Sequence, residues 1–305
     1  MATGGHRRRL ALILHGERAF TPGLRDLVAR LREAGHAVFP RVTWESGDAT
    51  RFTRELVAEG VDTAIAAGGD GTVNEVLNGL AGSDAALGIL PLGTANDFAV
   101  QAGIPSDIEA ATDLVLSGEP LRIDTASLNG RRFLNVSTGG VGAEATAETS
   151  SEAKAAFGSV AYALNALRRL RGLSARRARF EGPDWSFEAD FLVFAVGNAR
   201  ATGGGQAITP AASVRDGLLD LCVVEDMRML DFARISLLIG RGEHVAQDGV
   251  HYLRTPRVRV TADGPLLVNV DGEPVEAAAL EYEAHGRDLR IYLPRQEGAA
   301  RAAPV

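Results

Sequence analysis

The sequence predicts a two-domain α/β protein: a parallel sheet with flanking helices at about residues 7–125, then a β-rich, sandwich-like domain at about 126–285. Three observations predict it. Short apolar runs alternate with amphipathic helical segments in the first third of the chain, the pattern of successive strand–helix units. Beyond Leu116 the alternation stops and strand patterns dominate. The 305 residues are enough for two domains.

Residues 10–14 form a short apolar strand. A helix over 22–34 turns Leu24, Leu27, Val28 and Leu31 inward and ends at Gly35. A strand at 37–43 and a helix at 48–59, closed by Gly60, repeat the unit. The apolar run 61–67 is buried-strand material that stops at Gly68-Gly69. Asp70 and Gly71 turn the chain, and from Thr72 a helix places Val73, Val76, Leu77 and Leu80 on one face. Another strand, 86–90, ends at Pro91-Leu92-Gly93.

In the second half, strands at 122–128 and 132–137 flank Asn129-Gly130, a hairpin signal. A long helical segment covers 152–173. Strands follow at 177–181, 185–196, 218–224, 250–261 and 266–270. The helix between them, 227–239, has an apolar stripe expected to be domain core. The tail after Arg295 is expected to fray.

Composition excludes several classes. Net charge is −7, which argues against nucleic acid as a partner. A single cysteine, Cys222, cannot form an internal disulfide and fits a reducing cytoplasm. The basic start Arg7-Arg8-Arg9 is followed by an apolar run that ends at His15, too short for a signal peptide. No apolar run reaches membrane-spanning length.

Ligands of parallel α/β sheets bind at the carboxyl ends of the strands. Thr43, Gly69 to Thr72 and Gly93 to Asp97 all fall there. Strand, glycine turn and helix start make an anion site, because free N–H groups point at the ligand and glycine lets the backbone approach. The third glycine of a dinucleotide fingerprint is replaced by Asn74. The chain's one lysine, Lys154, follows no glycine loop, so neither a P-loop nor a protein-kinase lysine is present. Phosphates would be neutralised by backbone amides, arginine and metal. Thr94 and Asn96 are also candidate caps of a helix beginning near Ala95.

Gly68-Gly69-Asp70-Gly71-Thr72 resembles the diacylglycerol-kinase catalytic domain, also shared by sphingosine and ceramide kinases. Leu90-Pro91-Leu92-Gly93-Thr94-Ala95-Asn96-Asp97-Phe98-Ala99 fits the same family, as do Val42-Thr43-Trp44, Asp216-Gly217-Leu218-Leu219 and Asp271-Gly272-Glu273-Pro274. Together they are most similar to the bacterial YegS-type lipid kinases, from about residue 10 to 295. Two features depart from the family: His15-Gly16 stands where an Asn-Pro pair is usual, and Ala67 where many relatives have glycine.

The resemblance implies an ATP-dependent lipid kinase. ATP would meet Thr43, Gly69, Asp70, Gly71, Thr72, Val73, Asn74, Glu75 and Thr94. Magnesium would sit at Asp216, with Ser213 and Leu218 as backbone ligands. Glu273, held extended by the following Pro274, would be the general base for the lipid hydroxyl. A strand at about 286–295 would return to the first domain. The resemblance also implies a cytoplasmic enzyme working peripherally at the inner membrane face. Arg168, Arg169, Arg171, Arg176, Arg177 and Arg179 are candidate headgroup contacts or a solvated helix edge. Acyl-chain pockets leave no motif, so diacylglycerol, phosphatidylglycerol and sphingoid bases stay open as substrates, as does the oligomeric state. The rival readings are an NAD kinase or phosphofructokinase-like enzyme, which shares Gly-Gly-Asp-Gly, and a non-catalytic lipid- or nucleotide-binding regulator.

Overall fold

The computed structural model describes residues 7–140, 175–201 and 205–295. They fall into two compact units. One runs up to Arg122 and takes the chain back from Leu289; the other is Ile123–Asp288.

The first unit is built on four strands: β1 (Arg9–Leu14), β2 (Ala37–Val42), β3 (Thr63–Gly68) and β4 (Ala86–Pro91). β1 pairs in parallel with both β2 and β3, and β3 pairs in parallel with β4. Every residue of β3 and β4 is buried, as strands covered on both faces must be. Helices α1 (Leu24–Glu33), α2 (Asp48–Ala58), α3 (Asp70–Leu80), α4 (Asp97–Gln101) and α5 (Ile108–Ser117) join and follow them. α1 shows why such a segment is a helix. Leu24, Leu27 and Leu31 recur at helical spacing, all are buried, and Arg30 and Arg32 favour its last turn. Each such leucine contributes about 1.5–3 kcal/mol by leaving water.

The second unit holds β5 (Leu121–Leu128, whose first two residues precede the division), β6 (Arg131–Phe133), β7 (Val136–Gly140), β8 (Arg176–Glu181), β9 (Ser186–Gly197), β10 (Leu219–Glu225), α6 (Met229–Ile239), β11 (Val250–Thr255), β12 (Arg257–Val270) and most of β13 (Glu273–Ile291). β9 and β12 are long. β7 and β8 each pair antiparallel with both of them, at different points, so the ladder folds back on itself. An aromatic core fills it: Phe180 meets Phe191 and Phe194 edge to face, and Tyr282 meets Phe133 likewise.

Four expectations are corrected. The second strand of the Asn129-Gly130 hairpin breaks at Leu134-Asn135, because the Asp271 carboxylate takes both of their N–H groups at 2.8 and 3.0 Å. β12 is one strand from 257 to 270 with a register shift between Thr261 and Leu266, where two strands were expected. β13 runs through 275–285, where no element was expected. Its glutamates and alanines are poor strand formers, and pairing with β12 overrides them. The α6 stripe is not core: only Ile235 is buried, and Leu230 and Leu237 are 83 and 76% exposed. The helix expected at 152–173, Arg168, Arg169, Arg171 and the tail lie outside the described residues.

Candidate active site

In the first unit three strand ends leave the sheet at one level. The N–H of Thr43 bonds to Leu14 O at 2.9 Å, that of His15 to Ala67 O at 3.0 Å, and that of Leu92 to Gly68 O at 2.9 Å. Thr43 is nearly buried beside this edge. Gly16 has no room for a side chain, since a Cβ there would stand 2.5 Å from Thr43 O. That contact accounts for glycine at the position after His15.

Gly69 is the extended residue before α3, so the helix's first N–H groups open beside it. The β3–α3 and β4–α4 turns touch backbone to backbone: a Cβ on Gly69 would meet Gly93 Cα at 3.3 Å. Asn96 braces the second turn. Its Oδ1 accepts from Gly93 N at 3.0 Å, and its Nδ2 donates to Gly93 O at 2.9 Å. It stands at φ 50° before α4 and makes no side-chain cap, so the capping role expected of Asn96 is replaced by closure of its own loop. α4 begins at Asp97, and Thr94 is exposed on the turn.

The stretch from Gly69 to Glu75 divides by geometry. Gly69, Asp70 and Gly71 reach the surface, whereas Thr72, Val73 and Asn74 are buried. The N–H of Val73 is taken by Gly69 O at 3.1 Å, and Asn74 accepts from Asn78 Nδ2 through both its Oδ1 and its carbonyl. Glu75 turns away to the start of α2, accepting from Gly47 N and Ala49 N, each at 3.0 Å. The first-turn amides of α3 thus fall at Asp70 to Thr72, and Glu75 caps a neighbouring helix. The sequence did not reveal that role, because the partners lie more than 25 residues upstream. Asp48 does similar work, accepting from Trp44 N at 2.8 Å and Glu45 N at 3.2 Å. Those bonds and Arg51 hold its carboxyl below the usual range.

In the second unit, Asp271 (φ 47°) and Gly272 (φ 95°) form the two-residue turn between β12 and β13. Glu273 follows as the first residue of β13, opposite Val270. Its side chain is one-third exposed and ion-paired with Arg131. The carboxylate is therefore positioned by a guanidinium on β6 as well as by its backbone.

Asp216 accepts from Leu218 N at 3.1 Å and is ion-paired with Arg254. The loop before it is pinned by Asp124, a buried carboxylate that sequence reasoning missed. Asp124 accepts from Gly217 N and Arg287 N, each at 2.7 Å, and its own N–H bonds to Val214 O. Asp220 is fully buried, bonded by Tyr252 OH at 2.7 Å and raised above the usual carboxyl range by burial; its Oδ2 has no partner. Among the described residues no three His, Cys, Asp or Glu side chains converge on a metal position. The oxygen donors expected here, the Asp216 carboxylate with the carbonyls of Ser213 and Leu218, nevertheless suit a hard cation completed by water.

A basin of about 640 Å³ lies within this unit, lined by Ser127, Arg132 and His285 among others. His285 Nε2 faces Ser127 Oγ at 2.8 Å and Arg132 Nη1 at 2.9 Å. Arg132 and Thr125 both donate to Asp288, at 2.9 and 2.8 Å. Of the arginine cluster, Arg177 and Arg179 lie on β8 in ion pairs with Glu188 and Glu181, and Arg176 donates to Pro265 O. β8 covers the strand expected at 177–181 and begins one residue earlier, so these three stand on a strand and the solvated helix edge does not describe them.

A parallel α/β unit with paired glycine turns, followed by a β-rich unit, is the architecture of a phosphotransferase of the diacylglycerol-kinase kind. Residues 9–128 match the diacylglycerol kinase catalytic domain, and 135–293 the YegS C-terminal NAD kinase beta sandwich-like domain. The chain belongs to this YegS-like lipid kinase family. It is 42% identical to "Probable lipid kinase YegS-like" of Pseudomonas aeruginosa (strain UCBPP-PA14) over 97% of this chain and 98% of that protein. It is 41% identical to the protein of the same description from Klebsiella pneumoniae (strain 342), over 93% of this chain and 95% of the relative. A solved structure described as "a putative diacylglycerol kinase from Bacillus anthracis str. Sterne" superposes with a TM-score of 0.80 at 26% identity, covering 97% of this chain and 99% of its own.

Proposed function

We propose that the protein transfers the γ-phosphoryl group of ATP to the hydroxyl of a membrane lipid. Near full-length identity of 42% to a relative described as a lipid kinase carries the reading. Thr43, Thr94 and the amides from Gly69 to Thr72 would hold the nucleotide, with Asp70 orienting its phosphates. Val73, Asn74 and Glu75 would support that turn from behind. Phosphoryl transfer leaves the protein little covalent work, so positioning and charge stabilisation dominate. Magnesium, when bound, would offset negative charge on phosphate and would be held at Asp216 with the carbonyls of Ser213 and Leu218.

Glu273 would take the proton of the lipid hydroxyl as the new P–O bond forms, and Arg131 would set the direction of its carboxylate. The enzyme would act in the cytoplasm at the inner membrane face; among the described residues no helix is long and apolar enough to cross a membrane. The test is incubation with labelled ATP and a panel of diacylglycerol, phosphatidylglycerol and sphingoid bases, followed by thin-layer separation. One labelled lipid product, lost in a folded Asp70→Asn variant, is the expected result. Label appearing only on a soluble nucleotide or sugar would overturn the reading.

A further inference from the structure

α6 is apolar on opposite sides. Ile235 is buried, and Ile239 packs against the cluster of Val136, Ala195, Ile208 and Cys222. Leu230 and Leu237 face the other way, 83 and 76% exposed. Arg234 within the helix and Arg241 in the turn after it are exposed as well. Positions 230, 234, 237 and 241 follow one another at helical spacing, so leucine and arginine alternate along a single stripe. The stripe carries no acid. Arg228 and Asp231, at its edge, pair with each other at 2.8 Å. With the described residues, Arg234 and Arg241 form no ion pair.

We propose that this stripe is a membrane-docking face whose occupant is an anionic bilayer surface. The inference rests on the lipid-kinase reading, which puts the substrate in a membrane. Exposed leucines gain by entering the boundary between headgroups and acyl chains. The arginine stems lie along the same apolar level while their guanidinium groups reach lipid phosphates. Local basic charge is needed, because the whole chain at −7 is repelled by an anionic surface. A second copy of the chain seated on the same stripe would bury two arginines from each partner with no acid on the stripe to receive them, an unfavourable arrangement.

The experiment is sedimentation of the full chain with vesicles of phosphatidylcholine, with and without phosphatidylglycerol. Wild type should sediment with the phosphatidylglycerol vesicles. Leu230→Gln/Leu237→Gln should weaken that binding by at least about tenfold, since two exposed side chains lose their apolar contact. Arg234→Glu should weaken it on anionic vesicles alone. Both variants change exposed side chains, so their melting temperature and their turnover, in detergent micelles, of the panel lipid that wild type phosphorylates should stay at wild-type values. Vesicle binding that is absent in wild type, or unchanged in both variants, overturns the proposal. So does a wild-type dimer that the double variant makes monomeric with no change on vesicles. Leucine-dependent vesicle binding without phosphorylation of any lipid would leave the docking face standing and remove the kinase reading instead.

Discussion

A Cβ atom on Gly93 would stand 2.5 Å from the Cα of Gly69 and 2.7 Å from Asn96 Oδ1. Neither neighbour can yield cheaply: one is backbone, and the other is held by two hydrogen bonds to Gly93 itself. Gly93→Ala should therefore push the two turns apart. Overpacking of this kind costs roughly 1–3 kcal/mol. Displacement of the amides at Asp70 to Thr72 should weaken nucleotide binding further. Thermal melting and titration with a fluorescent ATP analogue check both effects, and a variant normal in both would remove the two-turn site.

Glu273→Gln keeps the size of the side chain and a contact for Arg131 but cannot take a proton. Turnover should fall by about a hundred- to ten-thousand-fold at saturating ATP and lipid, with nucleotide affinity unchanged. Arg131→Ala should lower turnover less, by freeing the carboxylate to wander. Turnover of Glu273→Gln within a few-fold of wild type would move the base elsewhere, with Asp97 next in line.

Arg254 already occupies the Asp216 carboxylate. Asp216→Ala should raise the magnesium concentration needed for half-maximal activity and weaken manganese binding followed by electron paramagnetic resonance. Arg254→Ala should shift both the opposite way, because a competing cation is gone. Identical metal titrations for all three proteins would argue against an ion at this loop.

His285 is held below its ordinary value of 6.5 by burial and by Arg132. The folded state therefore binds fewer protons than the unfolded chain just below that pH, and stability rises with pH there. Buried His244 is shifted the same way. Melting temperature should fall as pH drops below about 6.5. His285→Gln, which still offers Arg132 an acceptor, should make that fall shallower; equal differences between pH 7.5 and pH 5.5 in both proteins would show that His285 does not titrate across this range.

Much of this was legible because local chemistry and tertiary context agree. The runs ending at Leu14, Ala67 and Leu90 are apolar and glycine-bounded, and they become β1, β3 and β4. Asn129-Gly130 and Asp271-Gly272 carry the φ values that their turn type requires. What stayed hidden depends on distant partners. Nothing near Glu75 announces that its carboxylate closes α2, nor near Asp124 that it pins the Asp216 loop. β13 was masked by Glu276 and its following alanines, which favour helix until β12 supplies a ladder. The outward face of α6 was misread for a related reason: a helix with apolar residues on opposite sides declares no inside.

β4 pairs with β3 on one side and, on the other, with Arg290 and Ile291 at the far end of the chain. Tyr292 secures the join, its N–H on Leu87 O at 3.0 Å and its hydroxyl 3.3 Å from Thr63. During synthesis, β4 thus leaves the ribosome long before its second neighbour exists. The delay is on the order of tens of seconds at ordinary elongation rates. Through that interval an apolar strand presents a bare edge, a template for pairing with other nascent chains. The first unit, although begun first, is completed last, and a chain cut short before residue 289 keeps β4 with one edge unpaired.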